Sequence, residues 1–448
     1  MLIRFSVENY RSFYERQIFS MAAGKYSKHK EHLITTNGKR LLKGGLIFGA
    51  NASGKSNLIE AAWFGKSIVF KGIKNSSMVN RHFRIDPSAI IRPGVLQYDF
   101  VINGHIYSYG FAFSYKDCSF VAEWLYLCDD NKEICIFDRV VGEKVSTELN
   151  FKNEQNKQIF NIYADGVNDQ TSFLWEICSH KLSENEDFIS FFDVLEWFYS
   201  LVFIFPDSEF SSIGQFYKGG ENDSFGRLLH YFDTGIESIV TDVKPLEDVL
   251  TFLPEKIKND VMHDIQEDFD EKNNDVASAV EVTIGGKRFS FSKKEDGTIV
   301  GSQLTMNHGN DVDLFDLVDE SDGTRRLFDL IPIYQKGKEN CVIFVDELDR
   351  SFHTKLTVEF LRKFFEKTEG KSSQLIVTLH DSNVMNLNFF RQDEIWFVER
   401  QGNHSSEIYS LNKFKERFDS SVSKDYLLGR YGSIPVFGFD NDENEGEE

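Results

Sequence analysis

LIFGANASGKSN, residues 46–57, decides how this chain is read. A short apolar run ends in Phe48, and Gly49, Gly54, Lys55 and Ser56 follow at the spacing G-x-x-x-x-G-K-S. Glycines let a backbone fold around phosphate oxygens with its N–H groups turned inward. The N-terminus of a following helix adds a favourable dipole. The flanks supply that context. LKGGLIFGA reads as a short strand, and SNLIEAAWFGKSIVF has apolar residues at spacings of three and four, as a helix requires. The loop Asn51, Ala52, Ser53, Gly54, Lys55, Ser56 and Asn57 is therefore expected to hold phosphates. In such a loop Lys55 reaches the outer phosphates and the Ser56 hydroxyl holds Mg2+.

Three further stretches complete the chemistry. In VIFVDELD, residues 342–349, a buried strand can deliver Asp346 to the metal. Glu347, one residue later, can act as general base on an attacking water. Taken alone, two acids at a strand end read equally well as a solvated terminus. His380 closes the apolar run QLIVTLH, at the carboxyl end of a strand, where ligands meet an open α/β sheet. ESDGTRRLFDLIPIY, residues 320–334, opens a helix. Its Ser321 fits anion binding, and by physics alone it fits helix capping better.

Bulk properties bound the rest. The chain has 448 residues, 43 of them Phe, and a net charge of −21. That length suits two or three domains, or one domain with a large insertion. The tail DNDENEGEE (440–448) carries six acids; without it the charge is still −15. An acidic body disfavours nonspecific DNA wrapping. Short basic stretches, KYSKHK at 25–30 and RHFR at 81–84, read first as solvated faces. The five cysteines form no C-x-x-C pair and no His/Cys cluster, which argues against zinc and against a disulfide framework. There is no signal-peptide pattern, and the longest apolar run, WFYSLVFIF at 197–205, is too short to span a bilayer. A cytoplasmic protein without a membrane role is the expectation.

Residues 1–140 read as strand-rich, with a hairpin signal at Asn103-Gly104. Residues 141–300 read as a mainly helical insertion, with DFISFFDVLEWFYSLVFIF and FGRLLHYFDTGIESIV as helices and a hairpin at Gly285-Gly286. Residues 301–439 return to strand–helix alternation, and 440–448 form an acidic, disordered tail. Strands alternating with helices argue for an α/β sheet domain. No long heptad pattern and no internal repeat is visible.

The order NYRSF, GANASGKSN, ESDGTRR, VIFVDELD and TLHD resembles the ATPase heads of the ATP-binding-cassette class, in the branch with SMC, RecF and OLD-family proteins. The resemblance implies an α/β P-loop head with an antiparallel β subdomain. It makes Gly49–Ser56 the Walker A loop and Asp346 and Glu347 the Walker B acids. His380 is then the switch histidine, and Leu348-Asp349 form the D-loop. Asn51 matches the Walker A residue that contacts the γ-phosphate. Arg11 and Ser12 match N-terminal residues that approach the nucleotide. ESDGT stands where L-S-G-G-Q is usual, and only Ser321 and Gly323 carry over. Gln97 is left unassigned as a Q-loop residue.

FSVENYRSF, FGANASGKSNL, DELDRSFH, QLIVTLHDSN, DEIWFVER and LLGRYGSIP further resemble the stand-alone ATPases of abortive-infection and phage-defence loci, such as the ATPase subunit of PARIS systems. This resemblance covers roughly residues 1–140 and 300–435. It implies ATP and Mg2+ as ligands, and a homodimer or larger homo-oligomer with ATP between protomers. It also implies a separate effector, of the Toprim nuclease kind, and a phage trigger. Between His380 and the acidic tail there is no E…D-x-D arrangement, and the D-x-D at Asp311 and Asp313 runs directly into ESDGT. The expected function is thus an ATP-hydrolysing sensor in anti-phage defence. The alternatives are a RecF- or SMC-like ATPase acting on DNA in repair or chromosome maintenance, and a non-hydrolysing nucleotide-gated scaffold. The acidic body leans against the first alternative and Glu347 against the second.

Overall fold

The structure, a computed structural model, describes residues 1–129, 132–207, 221–271, 279–284, 287–294, 296–414 and 421–434. The acidic tail lies outside them. Backbone contacts divide the chain into two compact units. One holds Met1–Pro206, Lys336–Asp349 and Thr357–Glu448, and the other Asp207–Gln335 with Arg350–Leu356.

The first unit carries the α/β architecture expected from the sequence. Its central sheet runs in the order Leu201–Ile204, Val342–Val345, Gln374–Thr378, Gly44–Phe48, Ile395–Arg400, Ser406–Ser410. The first five strands are parallel and the last is antiparallel. VIFV, QLIVT and GGLIF are buried at every position. Parallel strands covered on both faces are written as unbroken apolar runs. The order also brings together segments far apart in sequence, so that Gly44–Phe48 lies between strands some 330–350 residues later.

A second, antiparallel sheet of the same unit orders Gln17–Ser20, Leu2–Glu8, Gly94–Ile102, His105–Ser114, Ser119–Leu127 and Ile134–Val140. Its Asn103-Gly104 hairpin forms as expected. Both residues have positive φ, 49° and 84°, as a type I′ turn requires. Helix Ile189–Ser200 packs on this sheet, with the Trp197 ring stacked 3.9 Å from Phe100. Buried Glu123 completes the attachment. It accepts from the Tyr109 and Ser172 hydroxyls and from the Phe173 and Leu174 N–H groups at the start of helix Phe173–Cys178.

These contacts explain a difference from the sequence reading. The compact division falls after Pro206, not at residue 140, because residues 154–204 pack against the N-terminal sheet and join the central one. Over 141–300 helical residues outnumber strand residues among those described, but the segment is not helical throughout. The second unit contains an antiparallel sheet in the order Ser238–Pro245, Ile299–Asn307, Lys287–Lys293, Ala279–Ile284. Leu250, Ile265, Phe269, Phe289 and Phe291 form its core. The expected hairpin strands on either side of Gly285-Gly286 pair, while the turn itself lies outside the described residues.

Two runs read as single helices are helix followed by strand. Helix Ile189–Ser200 gives way to strand Leu201–Ile204, and helix Glu221–Tyr231 precedes strand Ser238–Pro245. Apolar periodicity does not separate a buried helix from a buried strand. Pairing with Val342–Val345 and with Ile299–Asn307 decides. Among the described residues no helix is long and apolar enough to cross a membrane.

Candidate functional site

Strand Gly44–Phe48 delivers the glycine-rich loop, and helix Lys55–Lys71 leaves it. Two glycines are required by close approach. A Cβ on Gly49 would collide with the Val398 carbonyl oxygen, and one on Gly54 with the Ser406 hydroxyl. Gly54 also has φ +110°, outside the range of ordinary side-chain-bearing residues. The loop is clamped to strand Ser406–Ser410, because the Ser406 hydroxyl donates to the Ser53 carbonyl and its N–H donates to the Ser12 carbonyl. The Ser53 hydroxyl is buried and has no hydrogen-bond partner among the described residues.

Lys55 is buried, and its Nζ donates to the Gly49 and Ala50 carbonyls at 2.7 and 3.2 Å. Burial lowers its pKa, while Asp346, Asp349 and Glu347 oppose that shift. The Ser56 hydroxyl donates to Asp346 Oδ1 at 3.1 Å across 290 residues of sequence. Burial raises the Asp346 carboxyl above its ordinary range, and the hydrogen bonds from Thr378 and Ser56 pull it back. Thr378 is the organiser that the sequence reading missed. Its hydroxyl donates to Asp346 Oδ1 at 2.6 Å and accepts from the Glu347 N–H at 2.7 Å. Nothing in a run such as QLIVTLH marks that threonine, because its partners come from a neighbouring strand.

Glu347 leaves the strand in the left-handed region, φ 48°, which turns its carboxylate toward His380. His380 Nε2 lies 3.5 Å from Glu347 Oε1. The N–H groups of His380 and Asp381 both donate to Asp349 Oδ2, which ties the two motif segments together. A cavity of about 460 Å³ lies here, lined by Gly49, Asn51 and His380. A hydroxyl and a carboxylate oxygen side by side are the hard oxygen donors that Mg2+ prefers. The unpartnered Ser53 hydroxyl adds a polar group to the cradle. The residues present therefore fit a metal-bound triphosphate.

At the N-terminal turn, the Asn57 side chain donates to the Ser12 hydroxyl at 2.8 Å. Arg11 has φ 48° and pairs with Glu60 of the loop helix, as Arg81 does. Arg11, Ser12, Ala52 and Asn57 line one further cavity. Gln97 lies in the antiparallel sheet and donates to Asp99 and Ser108.

In the second unit, Ser321 caps helix Asp322–Leu330, its hydroxyl accepting from the Thr324 N–H at 3.2 Å. A Cβ on Gly323 would approach the Ser351 carbonyl oxygen to 3.0 Å. Asp311 accepts from Asn307. Among the described residues, metal-type ligand atoms gather at His29, Glu31 and His32, and at His263, Asp264 and Glu267. The first group, with His29 and His32 three residues apart, was not among the sequence expectations. It is held by His29 on the Leu387 carbonyl and His32 on Glu394.

A family model described as "AAA domain, putative AbiEii toxin, Type IV TA system" matches residues 46–386. No curated protein matches the chain. Among solved structures, an SMC head bound to the C-winged helix domain of ScpA is 15% identical, with 91% of this chain and 97% of that chain covered and a TM-score of 0.40. The SMC head domain from Thermotoga maritima is 13% identical, covering 91% and 98%, at 0.37. An SMC head with an extended coiled coil, bound to the C-terminal domain of ScpA derived from Pyrococcus furiosus, is 14% identical, covering 92% and 97%, at 0.39. Likeness of this degree carries no functional argument.

Proposed function

Since the chain belongs to the AAA-domain family whose model spans residues 46–386, we propose that it binds ATP with Mg2+ and hydrolyses it. The observation that carries this reading is the 3.1 Å contact of Ser56 with Asp346, with Glu347 next in sequence and His380 3.5 Å from it. The loop N–H groups and Lys55 hold the phosphates, Lys55 exchanging two carbonyl partners for phosphate oxygens. Ser56 and Asp346 hold the Mg2+ ion, which neutralises charge on the phosphate oxygens. Glu347 takes the proton of the attacking water as the water oxygen bonds the γ-phosphorus and ADP leaves. His380 orients Glu347 and that water. Arg11, Ser12, Asn51, Ala52, Ser53, Gly54 and Asn57 complete the nucleotide contacts. Ser321 and Gly323 act on the nucleotide of a second protomer in a head-to-tail homo-oligomer.

The energy serves regulation in this reading. The family description names a type IV toxin–antitoxin system, and the motifs resemble phage-defence ATPases. The protein is then a cytoplasmic sensor that holds or releases a separate effector, a Toprim-type nuclease, when a phage trigger is met.

Phosphate release tests the enzyme. Glu347→Gln keeps side-chain size and loses basicity, so ATP should still bind while turnover falls by about 10²–10⁴-fold. Lys55→Ala should weaken binding itself. A Glu347→Gln protein that hydrolyses ATP at the wild-type rate ends the general-base assignment.

A further inference from the structure

The phosphate-loop reading accounts for one end of a nucleotide. Lys55, Ser56, Asp346, Glu347 and His380 all lie toward the outer phosphates. A triphosphate that enters there must send its sugar and base past the opposite side of the loop, where helix Lys55–Lys71 begins beside Ser12. A cavity of about 660 Å³ lies on that side, within the size range of small-molecule sites. Ala52 and Asn57 form its floor, and Val79 and Ile85, both exposed, form an apolar flank.

Arg11, Asn80, His82, Phe83 and Arg84 line it too, and a further wall is the turn joining strands Ile395–Arg400 and Ser406–Ser410. Arg400 and His404 line this cavity and also the adjoining one, of about 670 Å³, against Ala50, Asn51 and Ser53. The turn is held in one shape. His404 N–H donates to the Gln401 carbonyl, Gln401 N–H donates to the Ser405 carbonyl, and the Ser405 N–H and hydroxyl both donate to Asn403. The sheet fixes it relative to the loop through Ser406, which donates to Ser53. His404 sits at φ 66°, a position that a glycine fills without strain. Strained non-glycine residues of this kind cluster where a side chain is needed. Among the described residues neither the Arg400 guanidinium nor the His404 ring has a hydrogen-bond or ion-pair partner, whereas Arg11, which lines the cavity near Ser12, is paired with Glu60. In a chain of net charge −21, an unpaired guanidinium and an unpaired imidazole on one rigid turn offer a cation and a planar ring to a ligand.

We propose that this cavity seats the nucleoside end of the bound nucleotide, with Arg400 on the inner phosphate and sugar and His404 stacked on the base. The assignment rests on the phosphate-loop reading above. It makes the turn Arg400–Ser405 the element that distinguishes a nucleotide from a bare polyphosphate.

Calorimetric titration of the full chain with Mg2+ and either ATP or inorganic tripolyphosphate tests it. Stacking on a base is strong enough for its loss to cost about tenfold in affinity. His404→Gly should weaken ATP by that factor and leave tripolyphosphate unchanged, and melting should show no loss of stability, because glycine relieves the left-handed backbone. Arg400→Ala should lower ATP affinity more than tripolyphosphate affinity. Lys55→Ala should weaken both ligands alike. If Lys55→Ala weakens both while neither turn variant changes ATP binding, the nucleoside assignment is wrong and the phosphate-loop reading stands. If His404→Gly weakens both ligands equally, the turn is a phosphate site and the proposal is overturned. If Lys55→Ala leaves ATP binding intact, both readings fall together.

Discussion

At the scale of the residue, the site is built around one buried carboxylate. Asp346 is buried, and its carboxyl is raised by that burial. A raised folded-state pKa contributes stability below the unfolded value of about 3.9, and that contribution is lost as pH rises through the folded value. At neutral pH the ionised Asp346 therefore costs the protein stability until a cation arrives. Asp346→Asn keeps an oxygen to accept from Thr378 and Ser56 and removes the charge. Melting without nucleotide at pH 7 should occur at the same or a higher temperature than in wild type, and stabilisation by ATP with Mg2+ should vanish. A full ATP–Mg2+ shift in this variant would remove Asp346 from the metal site. Thr378→Val should cost about 1–3 kcal/mol, since the buried carboxylate and the Glu347 N–H would lose their shared partner. The two acids and the lysine stand in the sequence as a pattern. Thr378 does not, because its role exists only once strands Val342–Val345 and Gln374–Thr378 are neighbours.

Among elements, the attachment of residues 172–200 to the N-terminal sheet rests on Glu123. Its carboxylate caps the start of helix Phe173–Cys178 and takes two hydroxyls, with the Arg139 guanidinium 3.4 Å away. Removing one partner of such a buried network strands the others. Glu123→Ala should therefore lower the unfolding free energy by about 3–5 kcal/mol in urea titrations. A loss below about 1 kcal/mol would show that the helix packs without it. The strand Leu201–Ile204 belongs to the same scale. WFYSLVFIF carries no mark at Ser200 that a helix must end there. The stack of Phe203 on Phe344, 4.8 Å between centroids, and the pairing with Val342–Val345 take it into the sheet. By contrast, Asn103-Gly104 was readable, because φ > 0 at two successive residues restricts the residue types a turn accepts.

For the whole molecule, the proposed head-to-tail assembly places Lys55 of one protomer and Ser321 of the other in one site. Lys55→Ala and Ser321→Arg homodimers would each have two dead sites. A mixed dimer would have one site with both defects and one intact. Random one-to-one mixing should then restore about a quarter of wild-type ATPase activity, or less if the sites must fire together. If Ser321 acts only as the helix cap seen in its own unit, Ser321→Arg costs roughly 1 kcal/mol of stability and the two mutants do not rescue each other. Mixed dimers verified by mass and inactive above the separate mutants would return Ser321 to that structural role.

The sequence by itself determined the glycine-rich loop at Gly49–Ser56, its flanking strand and helix, the buried strand that ends at Asp346 and Glu347, and the α/β class. Each of these is a local pattern whose chemistry restricts the residues at fixed spacing. Only the tertiary structure decided that Ser56 meets Asp346, that Thr378 joins the two acids, that residues up to 206 belong with the N-terminal sheet, and that the turn at Arg400–Ser405 stands over the loop. Those facts arise from strand order, which pairs segments hundreds of residues apart. The energy of such pairing lies in burial and in shared hydrogen bonds, neither of which any short stretch of the chain contains.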